Sequence, residues 1–458
     1  MKTHLDWSAY DTHGIGDPYA GIPVRGGTYA KAVAACIGSR QCQRMDRKGV
    51  MCPSFRITED PVHSTRGRVE ALKAVLNGEV GTHPDAIDFD DPALAEAMAL
   101  CIGCKGCKRE CPNGVDMALL RAEYLAQKHA RTGTPWRDRL FANATRLLEK
   151  HAPLRWMLQL RNRMPLLSAL GEHLFGISRH RRLPEPAQRP SSNTGASSTN
   201  AAEGPEVMLL IDSFTRVFEP ENANAAYDVL TTAGYRVRIV EPAGNDPTPS
   251  EPLCCGRAAL SSGLIAQARQ QAQRLVAALQ PALEAGTPIV GLEPSCLYML
   301  RDEYFSLGLD MSIEKLARQS FLFEDFLIKE HAAGRLQLTF GEQTPRQVVV
   351  HGHCHQKAFG GMKAMKKALA LIPGVQLELI EAGCCGMAGS FGVEAEHHAL
   401  SMRMAEAELL PAIRSAPAEA IIVADGFSCR QQISDGSRRT AIHAAVLIRN
   451  VLNGSAQT

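Results

Sequence analysis

Cysteine is the residue type in this chain whose number and spacing point to chemistry. Fourteen thiols occur in 458 residues, and they fall in tight groups with none between Cys111 and Cys254. The run Cys101-Ile-Gly-Cys104-Lys-Gly-Cys107-Lys-Arg-Glu-Cys111-Pro112 has the spacing C-x2-C-x2-C-x3-C-P, which suits thiolates wrapped round a cubane iron–sulfur cluster. Three thiolates at every third residue can cover one cubane face. The small Gly103 and Gly106 leave space for sulfide and its N–H donors. The Cys-Pro turn aims Cys111 away, toward the other cluster of a pair. A structural zinc site is the competing reading, and it has no use for an exported fourth cysteine.

The other half of that pair should lie in Cys36-x5-Cys42-x9-Cys52-Pro53, which ends in the same Cys-Pro. Crossed ligation gives one cluster held by Cys52, Cys101, Cys104 and Cys107, and a second held by Cys36, Cys42 and Cys111. That is seven thiolates for eight positions. The missing position falls on Ser39. The expectation is therefore one [4Fe-4S] cluster and a second that is either [3Fe-4S] or takes a non-thiolate fourth ligand, with Ser39 the first candidate. A single cluster with Cys36 and Cys42 as bystanders is the alternative.

The second half carries Val350-His351-Gly-His353-Cys354-His355-Gln356-Lys357, then Cys384-Cys385-Gly386, then Cys429. Upstream stand Cys254-Cys255-Gly256 and Cys296, with Asp212-Ser-Phe-Thr215 where Cys354 would align. Vicinal cysteines fit one tetrahedral zinc face poorly and strain a ring when oxidised; a polynuclear cluster or thiol chemistry suits them better. Cys354, Cys384, Cys385 and Cys429, with His353 and His355 in reserve, make a candidate third site for a cluster or zinc. Cys354, Cys384 and Cys385 are also the candidates for catalytic thiols. For Cys254, Cys255 and Cys296 the structural reading is favoured. The glycine-rich Gly383 to Gly392 lacks the G-x-G-x-x-G spacing and a following P-loop lysine, so its glycines are read as turns that bring the cysteine loop close to a site.

Two kinds of element must position these residues. Ser64-Thr65 caps a helix carrying Val69, Leu72, Val75 and Leu76 that ends at Asn77-Gly78, and Asp91-Pro92 opens a short helix with Leu94 and Met98. Downstream, β-rich runs at Val207 to Ile211, Arg236 to Val240, Pro288 to Gly291, Gln347 to Val350, Gln376 to Ile380 and Ala420 to Val423 alternate with helical stretches. Residues 288–296 align with 421–429, and 252–256 with 382–386, so two copies of a three-strand unit are expected. The architecture predicted is α+β and multidomain: a helical two-cluster ferredoxin-like domain followed by two tandem α/β CCG repeats with parallel strands. The thiols of the repeats follow strand carboxyl ends, where open α/β sheets build sites, and should converge on one edge.

The expected boundaries are an N-terminal extension over 1–30, the iron–sulfur domain over 31–130, a basic helical segment over 131–182, a flexible linker over 183–206, and repeats over 207–345 and 346–458. The linker is rich in Pro, Ser, Asn, Gly and Ala. Residues 121–190 hold 14 Lys and Arg against 5 Asp and Glu, interleaved with apolar residues. Such a segment either packs with a solvated face or lies on a membrane surface or an acidic partner. Fifty basic and 48 acidic residues give a net +2, so no global field points to nucleic acid. The amino terminus shows no leader and no run of about 18 apolar residues occurs, so the chain is expected in the cytoplasm, where clustered thiols are more often metal or redox groups than disulfides.

These residues together resemble a two-cluster ferredoxin segment followed by two CCG cysteine-rich domains, as in glycolate oxidase iron–sulfur subunits, anaerobic glycerol-3-phosphate dehydrogenase C subunits and heterodisulfide reductase B subunits. The strings GVMCPSFRITEDPVHSTRGR, VGLEPSC, HGHCHQKA, GCCGMAGSFG and ADGFSCRQQI are more narrowly similar to the carboxyl-terminal half of FAD-linked D-2-hydroxyacid dehydrogenases, the D-2-hydroxyglutarate and D-lactate oxidising type. The resemblance implies that electrons taken by FAD on a partner chain pass through the clusters to an acceptor, a quinone, flavoprotein or cytochrome. It also leaves two alternatives: a heterodisulfide-reductase-like enzyme reducing a disulfide or quinone at the CCG cysteines, and a zinc-bearing module that anchors the flavin subunit. In heterodisulfide reductases the last motif is C-x-x-C, whereas here Cys429 precedes Arg430-Gln431-Gln432.

Overall fold

The computed structural model describes residues 1–46, 49–81, 87–187, 204–309, 313–342 and 346–452. Both helices expected before the cluster run form as read. Ser64 Oγ accepts from the Gly67 N–H at 3.1 Å at the start of Thr65–Asn77, and Gly78 ends it at φ +74°. Asp91 accepts from the Leu94 N–H at 2.9 Å and opens Pro92–Ala99. Their apolar faces, with Leu72, Val75, Leu76 and Leu94 fully buried, pack into one core that also takes in the repeat-one helix Ile265–Ala285. The N-terminal extension belongs to this body: the Glu123 carboxylate receives the N–H groups of His4 and Leu5 and the Trp7 indole.

Each repeat is an all-parallel sheet, and each holds four strands rather than the three expected. Strands β1 (Glu206–Leu210), β2 (Arg236–Ile239), β3 (Ile289–Gly291) and β4 (Ser320–Leu322) run in the order β2-β1-β3-β4. Strands β5 (Gln347–Val350), β6 (Gln376–Leu379), β7 (Ile421–Val423) and β8 (Ala441–Ile442) run as β6-β5-β7-β8. The two missed strands are edge strands of three and two residues, too short to show an alternation. The central β1 and β5 are apolar and buried along nearly their whole length, as parallel strands covered on both faces must be.

The repeats share a second apolar core, in which Val207, Leu209 and Val290 meet Val348, Val350 and the Ala444–Asn450 helix. Glu293 of repeat one accepts from the Phe427 N–H at 2.8 Å, and Arg430 pairs with Glu219, so the two sheets hold a fixed relation.

The basic segment forms three helices after Met117–Thr132: Trp136–Lys150, Ala152–Arg163 and Pro165–Phe175. Many of its cations are taken up in packing. Arg146 and Lys150 pair with Glu251, Arg137 with Glu396, and Arg181 reaches Asp435 and Ser401. Of the expected linker, residues 188–203 lie outside those described. Its first residues are tied down, with the Ala187 N–H on the Val217 carbonyl at 2.9 Å, and its last, Glu206, is the start of β1. Among the described residues no helix is long and apolar enough to cross a membrane.

Candidate iron–sulfur sites and the cysteine-rich cleft

Cys52, Cys101, Cys104 and Cys107 line one small buried pocket, together with Arg68 and Lys105. The chain brings them together by left-handed turns and a tight approach. Cys52 and Lys105 adopt φ +47° and +62°. At Gly106 an added Cβ would stand 2.8 Å from the Met51 Cα, so only glycine lets the two cysteine loops touch. Glu110 then clamps them by accepting from the N–H groups of Val50 and Met51 at 2.6 and 3.0 Å.

Burial pushes the Cys104 and Cys107 thiols well above their ordinary range. These two sulfurs therefore need a cationic partner such as a metal to be held as thiolates. Arg68 supplies further positive charge. It is 2% exposed, bonds the Ala97 carbonyl and Ser54 Oγ, and places Nη1 3.6 Å from Cys52 Sγ. Burial works against its charge, and Cys101 and Cys52 beside it more than restore it. The donor set fits a cubane cluster.

The second set is looser. Cys42 is buried, with the Arg66 N–H on its sulfur at 3.3 Å and Cys52 and Cys36 as charged neighbours. Cys36 and Cys111 are half-buried, while Ser39 is exposed.

In repeat two the sulfurs form a row. Cys354 neighbours Cys384, Cys384 neighbours Cys385, and Cys385 neighbours Cys429. The Cys384 thiol, then His353, hold Cys354 well below its ordinary value; Cys384 and Cys429 do the same for Cys385. His353 Nδ1 accepts from the His355 N–H at 3.2 Å, which leaves its Nε2 facing Cys354 Sγ at 3.9 Å. At Gly386, φ +86°, a Cβ would come within 2.3 Å of the Ser401 carbonyl, so glycine is what lets the vicinal pair turn in.

Repeat one copies this row with one atom changed. Ser213 neighbours Cys254, Cys254 neighbours Cys255, and Cys255 neighbours Cys296. Ser213 thus occupies the place of Cys354, a correspondence that the Asp212-Ser-Phe-Thr215 alignment only outlined. Among the described residues, three ligand atoms within 4.8 Å of one another occur in Glu394, Glu396 and His397, and in neither cysteine row. Glu394 and Glu396 are already paired with Arg137. The rows are too extended for a single tetrahedral ion and suit a polynuclear group.

The cluster loop and the repeat-two row touch. His355 Nε2–H donates to the Gly103 carbonyl at 3.1 Å, and Cys354 is a charged neighbour of Cys104. A second junction binds the same loop to repeat one: fully buried Lys105 pairs with Asp116 at 2.8 Å, Asp302 at 2.9 Å and Glu303 at 3.2 Å, and Glu303 also pairs with Arg257.

Residues 32–115 match the family model of the 4Fe-4S dicluster domain, and residues 216–301 and 348–434 match that of the cysteine-rich domain. The chain carries a 4Fe-4S dicluster domain and two cysteine-rich domains. It is similar to D-2-hydroxyglutarate dehydrogenase of Escherichia coli (strain K12), with 26% identity over 459 residues covering 90% of this chain and 43% of that protein. The C subunit of the anaerobic glycerol-3-phosphate dehydrogenase of the same strain is 26% identical over 54% of this chain and 59% of its own length. Lactate utilization protein A of Bacillus velezensis is 25% identical over 54% of this chain and 99% of its own length. The chain spans less than half the length of the D-2-hydroxyglutarate dehydrogenases it matches.

Proposed function

We propose that this chain carries electrons through iron–sulfur centres from a FAD-dependent D-2-hydroxyacid dehydrogenase, acting on D-2-hydroxyglutarate, D-lactate or glycolate, to a downstream quinone, flavoprotein or cytochrome. The observation that supports it is the contact between the two kinds of site, where His355 beside Cys354 holds the carbonyl of Gly103 between Cys101 and Cys104. Cys52, Cys101, Cys104 and Cys107 would hold the first cluster; Cys36, Cys42 and Cys111 the second, as [3Fe-4S] or with a non-cysteine ligand such as Ser39. Cys354, Cys384, Cys385 and Cys429 would hold a further polynuclear group. When bound, such clusters supply one-electron carriers, which match a flavin that collects electrons in pairs and must release them singly. The chain's own residues set the charge around them, with Arg68 and Lys105 buried at the first site.

The two ends of this row differ. Near Cys36, Ile37 is 72% exposed and Met45 53%, an apolar rim for a flavoprotein carrying the FAD. The repeat-two end lies on a cavity, where the acceptor would approach. The site of action is the cytoplasm, at the inner face of the membrane. Anaerobic reconstitution with iron counting and EPR tests the reading. Cluster signals of the reduced state should appear when D-2-hydroxy acid and the co-purifying flavoprotein are both added. Clusters that stay oxidised in the full mixture would refute it.

A second reading is that the repeat-two thiols themselves reduce a disulfide or quinone, favoured by the row's position on a cavity. Cys384→Ser should then abolish turnover and spare the EPR signals of the dicluster domain; full turnover in that variant ends this alternative. The zinc-module reading is less well supported, because neither row has single-ion spacing among the described residues.

A further inference from the structure

Three histidines flank Cys354 in sequence, and hydrogen bonds engage two of them. His353 caps the helix Cys354–Ala358 through Nδ1, and His355 holds the Gly103 carbonyl. His351 is different. It sits at the carboxyl end of β5 with its backbone N–H on the Val423 carbonyl at 2.9 Å, it is 0% exposed, and neither ring nitrogen has a hydrogen-bond partner among the described residues. Leaving buried polar atoms unpaired is costly, and a fold keeps them only where something compensates. The ionisable neighbours of the ring are Cys385, Lys357 and His353. Lys357 is already engaged, because its ammonium donates to the carbonyls of Ala382 and Gly383. That leaves the sulfur of Cys385. Cys354, Cys384, Cys385 and Cys429 lie at one end of a cavity of about 1310 Å³, whose remaining wall is mostly apolar residues of the helices Trp136–Lys150, Ala152–Arg163 and Pro165–Phe175, whereas His351 lies outside that wall. The imidazole therefore stands behind Cys385, and reaches the sulfur rather than the space that a polynuclear group would fill.

Repeat one supplies the comparison. Val350 pairs with Val423 as Leu209 pairs with Val290, and Cys429 and Cys296 each follow six residues after those partners. His351 therefore corresponds to Leu210, Cys354 to Ser213 and Lys357 to Arg216. The loop clamp is kept: Arg216 donates to the Leu253 carbonyl ahead of Cys254-Cys255, as Lys357 donates to the Gly383 carbonyl ahead of Cys384-Cys385. Two things change together, serine for the first cysteine of the row and leucine for the histidine. Leu210 is 6% exposed and belongs to the apolar core that includes Cys255 and Cys296. An apolar side chain is thus all that packing asks for at this place. The histidine stands only in the repeat that has four cysteines.

We propose that His351 donates a ring N–H to the sulfur of Cys385 when Cys385 is a thiolate ligand of the repeat-two polynuclear group, and that this bond raises the reduction potential of that group. This rests on the reading in which the Cys354, Cys384, Cys385 and Cys429 row holds such a group. His351 is a positioning residue, since it touches the ligand and not the metal. A donor on a ligand sulfur draws negative charge away from the iron, which favours the reduced and more negative state. Bonds of this charge-assisted kind are the stronger ones. In repeat one Leu210 has no hydrogen to give, so any group held there lacks this contribution.

The test is an anaerobic redox titration of the intact, iron-reconstituted chain followed by EPR, with the repeat-two signal identified as the one that Cys354→Ser removes. His351→Leu installs the side chain that repeat one carries at this place, so the fold should survive, as circular dichroism checks. It should lower the equilibrium constant for reducing the repeat-two group about tenfold, which is about 59 mV for a one-electron couple, and leave the dicluster potentials where they are. His351→Gln keeps an N–H donor and should recover most of that shift. With nitrogen-15-labelled histidine, pulsed EPR should show a weakly coupled nitrogen that His351→Leu removes. If His351→Leu holds iron too weakly to be titrated, iron retained in His351→Gln supports the bond and iron lost from both variants refutes it. An unchanged or raised potential in His351→Leu, an equal shift in His351→Gln, the strong coupling of a directly bound nitrogen, or the absence of any signal that depends on Cys354 each overturns the inference. Dicluster signals that still appear with D-2-hydroxy acid and the flavoprotein leave electron transfer standing in every one of those cases. A lowered potential in His351→Leu, in a chain whose clusters stay oxidised in that mixture, would keep the hydrogen bond and refute electron transfer from the hydroxy acid.

Discussion

Neutralising Arg68 should lower the midpoint potential of the cluster assigned to Cys52, Cys101, Cys104 and Cys107. The guanidinium is buried, and its nearest sulfur, Cys52 Sγ, is 3.6 Å from Nη1. An added electron on a cubane is delocalised over iron and sulfide, so the distance that counts is larger, about twice that value. Two unit charges about 7 Å apart at an effective dielectric of about 20 attract by roughly 2.3 kcal/mol. For a one-electron couple that is on the order of 100 mV. Arg68→Met removes this attraction from the reduced state and should shift the midpoint downward by that order. It also removes the bonds to Ala97 and Ser54, which alone would loosen the site without a charge effect. Arg68→Lys separates the two causes, since it keeps the charge and loses most of the bonding geometry. It should hold the potential near the wild-type value. The assay is an EPR-monitored redox titration of the intact chain, with iron content verified for each variant. A shift in Arg68→Met smaller than about 20 mV, or one upward, would refute the electrostatic argument.

Three further outcomes are expected. Gly106→Ala drives a methyl into the Met51 backbone 2.8 Å away and should strip iron from the first cluster while leaving the repeats folded, as read by iron content and circular dichroism. Ser213→Cys completes the repeat-one row beside Cys254; if the repeat-two row holds iron, this variant should gain iron per chain, and Cys354→Ser should lose it. The Lys105 junction predicts a pH signature. Burial alone would raise Glu303, but Arg257 and Lys105 outweigh it and hold it down to about 2; Lys105 and Lys108 likewise hold Asp116 below the ordinary carboxylate range. Stability from such depressed groups is complete above the unfolded value of about 4.3 and is lost only as pH falls through the folded value, so the junction adds no slope to the wild-type melting temperature from about pH 7 to 5. Lys105→Met leaves buried carboxylates short of a cation, at a cost of about 3–5 kcal/mol. Their folded values then rise, so the gap in melting temperature between the variant and the wild type should narrow as pH drops over the same interval; a gap that stays constant would contradict the junction's assignment.

How much of this was legible in the sequence depends on the range over which each feature is built. The Cys101 to Cys111 run is local, and its ligand spacing is readable residue by residue. Of the six strands anticipated, β1, β3, β5 and β7 are apolar runs inside their sheets and β2 and β6 are four-residue edge strands of alternating character, whereas β4 and β8 are edge fragments of three and two residues, too short to carry a pattern. Arg68 was invisible as a cluster residue because it lies inside a helix whose apolar period runs through Val69 and Leu72, and a lone arginine there reads as solvated. Its burial is decided by Ala97 and Ser54, which are 29 and 14 residues away. Lys105 stands in the cluster motif itself, yet its partners Asp302 and Glu303 come from repeat one. The basic segment was posed as a choice between packing and surface contact, and its residues divide between the two: Arg137, Arg146 and Arg181 are held by carboxylates of the repeats, while Trp156, Leu166 and Leu170 face outward. A charge count over 70 residues sums these populations and so could not separate them. The cavity is the extreme case. Its thiol end comes from strand-end loops of repeat two and its mouth from helices some 200 residues earlier in the chain, so no window of sequence contains both, and only the packing of those helices across the repeats turns a row of cysteines into the floor of an apolar chamber.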